Sequence, residues 1–165
     1  MFSREVAQAR TREFARAEEI EITGELGFGI DGWVFRSNRA SALKVFESRK
    51  KYETERDIYL RLHERQVKDI LGHSVPELLH YHDQLQVIEM SIVQPPYLLD
   101  FAQATLDTPP DFSDDALEMW RAEKAEQFGQ QWPQVQAIMA MLEARFGIHL
   151  IDVNPGNVTF GDQSY

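Results

Sequence analysis

Residues 26–35 read LGFGIDGWVF and set Gly27, Gly29 and Gly32 at G-x-G-x-x-G spacing. Glycines so spaced let backbone N–H groups approach a phosphate, because no Cβ stands in the way. Two unrelated nucleotide folds use the string, one running from it into a helix and one joining two strands through it. A second polar string, Asp152-Val153-Asn154-Pro155-Gly156-Asn157, holds a carboxylate and two amides. Taken alone it is ordinary turn chemistry, since Asn, Pro and Gly each favour turns for local reasons. The histidines, at 63, 73, 80, 82 and 149, lack the spacing of a zinc protease or zinc finger. His80 and His82 share one face of a strand and read as surface residues, and Trp33, Trp120 and Trp132 read as packing or rim residues. There is no cysteine, which excludes disulfides, thiolate metal sites and cysteine nucleophiles and fits a reducing compartment.

The elements around these residues decide between the two glycine folds. A helix is expected from residue 3 to about 17, capped by Ser3, with Val6, Phe14 and Ala17 as a thin apolar face. EIEITGELG and GWVFRS then read as strands about the glycine turn, and SALKVF as a third strand after the polar turn SNRA. No helical period separates the glycines from Lys44, so the dinucleotide-binding strand-to-helix turn is disfavoured. A helix follows over 48–62, then two extended segments, PELLHYH and LQVIEMSIV, with a turn near Asp83. After loops at Pro95-Pro96 and at 107–113, Ser113 starts a helix that carries Leu117, Trp120 and Phe128. A second helix runs from about Pro133 to Phe146, with Val135, Ile138, Met139, Leu142 and Phe146 at helical spacing and Gly147 as its cap. The last residues read as strand, turn and strand.

The bulk properties bound the class. A chain of 165 residues that is 43% hydrophobic can bury a core as one domain. Its net charge of −10 argues against a nucleic-acid footprint. The early arginines, Arg4, Arg10, Arg12 and Arg16, are interleaved with glutamates, which makes a solvated helix face. The charged N-terminus does not read as a signal peptide, and no stretch nears the ~18 apolar residues of a membrane span, so a cytoplasmic protein is expected.

In this order the parts resemble the protein-kinase-like superfamily of protein kinases and small-molecule phosphotransferases. Gly27 to Val34 fits G-x-G-x-x-G-x-V, Ala42-Leu43-Lys44 resembles the A-x-K of the following strand, and Asp152 to Asn157 fits D-x-x-x-x-N of the catalytic loop. The resemblance implies an α+β fold: an N-terminal lobe over 21–93 with about five antiparallel strands and one helix, a reduced helical lobe over 94–165, and residues 1–20 as a helical extension. It implies ATP as cofactor, with Gly27, Gly29, Gly32, Val34 and Ala42 around it. Lys44 would face its phosphates, and backbone groups from Glu89 to Ser91 would bond the adenine, with Ile88 behind the ring. Asp152 would orient the acceptor's hydroxyl and Asn157 would bind Mg²⁺. Lys44 would need a carboxylate from the helix after it. Tyr52, Tyr59 and Leu62 share one helical stripe with Glu55 in its middle, whereas Glu53 points away. A carboxylate on a buried face needs a partner, so Glu55 is expected to pair with Lys44; the other reading puts Glu55 at the rim with Arg56 or Lys51.

The resemblance breaks at three places. Leu150 and Ile151 stand where the family has His and Arg, and Asn154 stands where many protein kinases have lysine. The family's metal-binding aspartate, in D-F-G, lies about a dozen residues after the catalytic-loop asparagine, but the sequence given ends eight residues after Asn157, with only Asp162 acidic there, at a position that reads as a turn. Mg²⁺ binding is then expected to be weak unless another carboxylate, from this chain or a partner, fills the gap. Three functions follow from the resemblance: a minimal atypical phosphotransferase, a pseudokinase-like nucleotide-binding or interaction module, and a half-enzyme completed by a partner chain. The phosphate acceptor is left open.

Overall fold

The computed structural model describes residues 2–161. Helix α1 (Arg4–Ala17) opens where Ser3 Oγ accepts the Val6 N–H at 3.4 Å. Its buried stripe is Ala7, Thr11, Phe14 and Ala15, while Val6 and Ala17 are exposed. Thr11 can be buried because its hydroxyl donates to the Ala7 carbonyl at 2.7 Å. Counting only apolar residues therefore rotated the expected face.

Next come β1 (Ile22–Gly29), β2 (Gly32–Ser37), β3 (Ser41–Phe46), helix α2 (Arg49–Glu64) capped by Ser48, and a small hairpin of β4 (Asp69–Ile70) and β5 (His73–Ser74). Strands β6 (Leu78–His82) and β7 (Val87–Ser91) complete a five-stranded antiparallel sheet in the order β1-β2-β3-β7-β6. The architecture is α+β, as expected. Strand β3 is buried along its whole length because the sheet is covered on both faces. With side chains alternating along a strand, Leu43 and Val45 join Phe14, Phe35 and Val87 in the core under α1. Ala42 and Phe46 join Tyr52, Ile58, Ile88 and Met90 in the core under α2. That parity turns Lys44 toward α2.

The rest is β8 (Thr105–Leu106), α3 (Asp114–Phe128) capped by Ser113, one 3₁₀ turn (Gly129–Gln131), α4 (Trp132–Phe146) and β9 (Ile148–His149), which pairs with β8. Val135, Ile138 and Leu142 of α4 are buried, and Gly147 closes it at φ 65°. The strand expected after the 155–157 turn is reduced to one bridge, Leu98 to Val158, and Asp162 lies outside the described residues. The helical part is tied to α2 by Arg61, which donates to both carboxylate oxygens of Asp107 (2.6 and 2.8 Å) and to the Phe146 carbonyl (2.8 Å). Among the described residues no helix is long and apolar enough to cross a membrane.

Candidate active site

A cleft of about 590 Å³ lies between the glycine hairpin and the helical part. Its size is that of a small-ligand site. Leu26, Val34 and Ala42 roof it, Met90 to Val93 form its side, and Tyr97 and Leu99 lie on its wall. Gly27, Gly29 and Gly32 line it too. The three glycines are not equivalent. A Cβ on Gly32 would run into the Val45 carbonyl, and its φ is 148°, so that glycine is needed for β2 to approach β3. Around Gly27 and Gly29 there is open space, so their backbone faces the cleft with nothing from the protein to avoid.

Lys44 Nζ donates to Glu55 Oε2 at 2.8 Å, and Glu55 sits in the buried stripe Tyr52, Glu55, Ile58, Tyr59, Leu62 of α2. The rim alternative is not what is seen, since Arg56 pairs with Asp57 and Asp83 and Lys51 with Asp31. Burial alone would lower the Lys44 pKa, but Glu55 and then Asp100 outweigh it and hold the ammonium charged. Burial raises Glu55 to about 7 against the lowering effect of Lys44. Burial opposes the charged forms of both groups and their contact favours them. A 2.8 Å contact to a firmly charged ammonium makes ionised Glu55 the state above neutrality, and its protonation the first event below it.

At the other end of the cleft, Asn154 Oδ1 accepts the N–H groups of Gly156 (2.9 Å) and Asn157 (3.2 Å), which folds the string into a turn. Asp152 accepts from Asn154 Nδ2 at 3.2 Å and from Asn157 Nδ2 at 3.3 Å. The Asn157 amide nitrogen is thereby committed to Asp152, and its Oδ1 has no hydrogen bond among the described residues. Asp152 and Asn157 line the same cleft as Lys44 and the glycines. The turn chemistry and the site chemistry of this string coexist.

Not every expected residue lies in the cleft. Glu89 is fully buried on the opposite face of the sheet, where Ser41 Oγ (2.6 Å), His80 Nδ1 (2.8 Å) and Arg39 (3.4 Å) meet its carboxylate. The register gives the reason: Glu89 pairs with Leu43, and Ile88 with Lys44. Strand β7 lies between β3 and β6, so Glu89 is enclosed in the sheet. Ile88 is buried in the core beneath α2. Ser91 does line the cleft, with its N–H donated to the Glu77 carbonyl at 2.9 Å.

Asp100 and Tyr59 were not singled out by sequence. Asp100 Oδ1 accepts from Lys44 Nζ at 3.2 Å, and the backbone before it runs beside the Asp152–Asn157 string. The Leu99 N–H donates to the Asn157 carbonyl at 2.8 Å and the Thr159 N–H to the Tyr97 carbonyl at 3.0 Å. Asp100 is at φ 67°, a conformation Asp tolerates better than most residues. Tyr59, one helical turn after Glu55, lines the cleft, and its buried hydroxyl has no partner among the described residues. Burial raises its pKa, and the charges of Glu55 and Asp100 add to the effect. Asp100 carries no motif or periodicity in the sequence, because its partner Lys44 lies 56 residues away in the chain.

No family model matches the chain, and no curated protein matches it. Among solved structures, it is similar to the ADP-bound crystal structure of the aminoglycoside phosphotransferase APH(2'')-Ib, at 14% identity and a TM-score of 0.44. The similarity covers 94% of this chain and 42% of that one, so the chain spans less than half the length of that structure.

Proposed function

We propose that the cleft binds ATP and transfers its terminal phosphoryl group to a hydroxyl-bearing acceptor. The observation that carries this reading is one cleft in which a buried lysine, held by Glu55, shares the walls with the open Gly27–Gly29 backbone and with Asp152 and Asn157. On this reading residues 21–93 grip the nucleotide, 94–165 supply the acceptor side and 1–20 brace the back of the sheet. The adenine packs between Val34 and Ala42 above and Leu99 below, beside the chain at Met90 to Val93. Lys44 is fixed by its partners rather than free to swing, so its charge is aimed at phosphate oxygens without the entropy cost of ordering a flexible side chain.

Transfer forms a bond between the acceptor oxygen and phosphorus and breaks the one to the bridging oxygen, leaving ADP. Asp152 takes the hydroxyl proton; the two amides that donate to it fix its orientation. The residues present fit a divalent cation, because Asn157 Oδ1 is an acceptor without a partner. Bound Mg²⁺ would supply charge neutralisation of the phosphates.

The test is calorimetric titration of ATP, with and without Mg²⁺, into wild type and Lys44→Ala. Micromolar binding that is lost in the variant supports the reading. Absence of binding to wild type under both conditions overturns it.

A further inference from the structure

The tip of the glycine hairpin, between β1 and β2, treats its two side chains in opposite ways. Ile30 is 83% exposed, whereas Asp31 is 5% exposed. An apolar group is left in water and a carboxylate is turned inward, the reverse of what burial favours. What holds Asp31 there is Lys51 of α2, whose Nζ donates to Asp31 Oδ1. Asp31 lines the cleft, and its charge adds to the influences that raise the Glu55 pKa. It therefore lies toward the Lys44–Glu55 pair, the end of the cleft where phosphates are placed above. Among the described residues that line the cleft, Lys44 is the one cation, and it already serves Glu55 and Asp100. A polyphosphate meets Asp31 as a like charge, with Lys51 directly behind it. Lys51 itself is ill placed for helix stability. The first turn of α2 carries Arg49, Lys50 and Lys51 and no acidic residue, although positive charge opposes the helix dipole at that end. Its side chain is 29% exposed, so it is not locked in the core.

We propose that Asp31 occupies Lys51 in the ligand-free chain as a carboxylate in place of phosphate, and that the terminal phosphate of a bound nucleotide takes Lys51 from it. Lys51 is then the second lysine of the phosphate site, and Asp31 is its internal competitor. The assignment rests on the nucleotide reading above and adds a residue and a means of control that lie outside its motif strings. The exchange is isosteric in its essentials: one ammonium leaves a carboxylate oxygen for a phosphate oxygen. A terminal phosphate carries about two negative charges against the one of Asp31, so a seated phosphate wins the ammonium. Breaking the Asp31–Lys51 pair frees the hairpin tip from α2, so the tip responds to the phosphates rather than to the base. A ligand without phosphates breaks nothing and is indifferent to the pair.

The experiment is calorimetric titration of ATP and of adenosine, at one Mg²⁺ concentration, into the full chain as wild type, Asp31→Asn and Lys51→Met. Asp31→Asn keeps the shape of the side chain, removes its charge and frees Lys51. It binds ATP about ten-fold tighter than wild type and adenosine within about two-fold. Lys51→Met leaves Asp31 unpaired beside the phosphates, and it binds ATP about ten-fold or more weaker with adenosine again little changed. ATP affinity in Asp31→Asn equal to or below that of wild type overturns the inference. So does a change for adenosine as large as that for ATP, which is the mark of a contact that only shapes the hairpin. Either result leaves wild-type nucleotide binding standing, whereas no ATP binding by wild type overturns both readings. Should Lys51→Met fail to fold around its unpaired carboxylate, Asp31→Asn decides alone, since it leaves only a partly exposed ammonium without its partner.

Discussion

Replacing Lys44 by Met tests the central pair through stability alone, without any ligand. Methionine keeps an unbranched apolar stem in the same space and removes the ammonium 2.8 Å from Glu55. In wild type burial has already raised Glu55 to about 7; without Lys44 burial is unopposed, and the carboxyl stays protonated well above that. A raised carboxyl pKa means that the folded state holds a proton the unfolded chain has released, so stability falls as pH rises until the folded group also ionises. For wild type that fall ends near pH 7, where Glu55 ionises against Lys44. For the variant it continues, at about 1.4 kcal/mol per pH unit. The cost of the substitution is therefore about 1 kcal/mol or less at pH 6.5, including the partly exposed contact to Asp100, and grows by roughly 2.7 kcal/mol between pH 7 and 9. Urea unfolding of both proteins at four pH values and constant ionic strength measures it. A destabilisation that is the same at pH 6.5 and pH 9 would refute the claim that Glu55 is a buried carboxylate held ionised by Lys44.

Further outcomes follow from the same geometry. Glu55→Gln removes the titrating group, so the decline of wild-type stability between pH 4.5 and 7 should flatten in the variant; urea midpoints across that range show whether it does. Gly32→Ala should cost about 3 kcal/mol or more, because the new methyl meets the Val45 carbonyl. Gly29→Ala, in open space, should stay within about 1 kcal/mol of wild type yet weaken ATP binding, and thermal melts beside calorimetry separate the two effects. Asp152→Asn should keep nucleotide affinity and lose about 10²-fold or more of phosphoryl transfer, read as ADP release once an acceptor is found or with water as a slow one.

The parts of this cleft that could be read from sequence are those with a local cause. The glycine hairpin announces itself because no helical period follows it. Glu55 stands out because a carboxylate in the middle of a Tyr52–Tyr59–Leu62 stripe demands a cation, and the structure supplies Lys44. The β-parity that places Glu89 behind the sheet was equally available: with Lys44 facing α2, its register partner Ile88 must face the same way and Glu89 the other. What sequence could not show is which distant backbones lie side by side. The strands β8 and β9 are two residues each, too short for any period. The contact between Leu99 and Asn157 spans two helices of intervening chain. Asp100 was not legible for the same reason, since it meets Lys44 across 56 residues of chain. A cleft, however, is indifferent to the order in which its walls are made, and the segment that packs beside Lys44 brings Asp100 to it from far along the chain. The physical constraint acts on charge and proximity, so a buried lysine takes its carboxylates from whichever segments the fold brings within reach, here Glu55 of α2 and Asp100 of a distant loop.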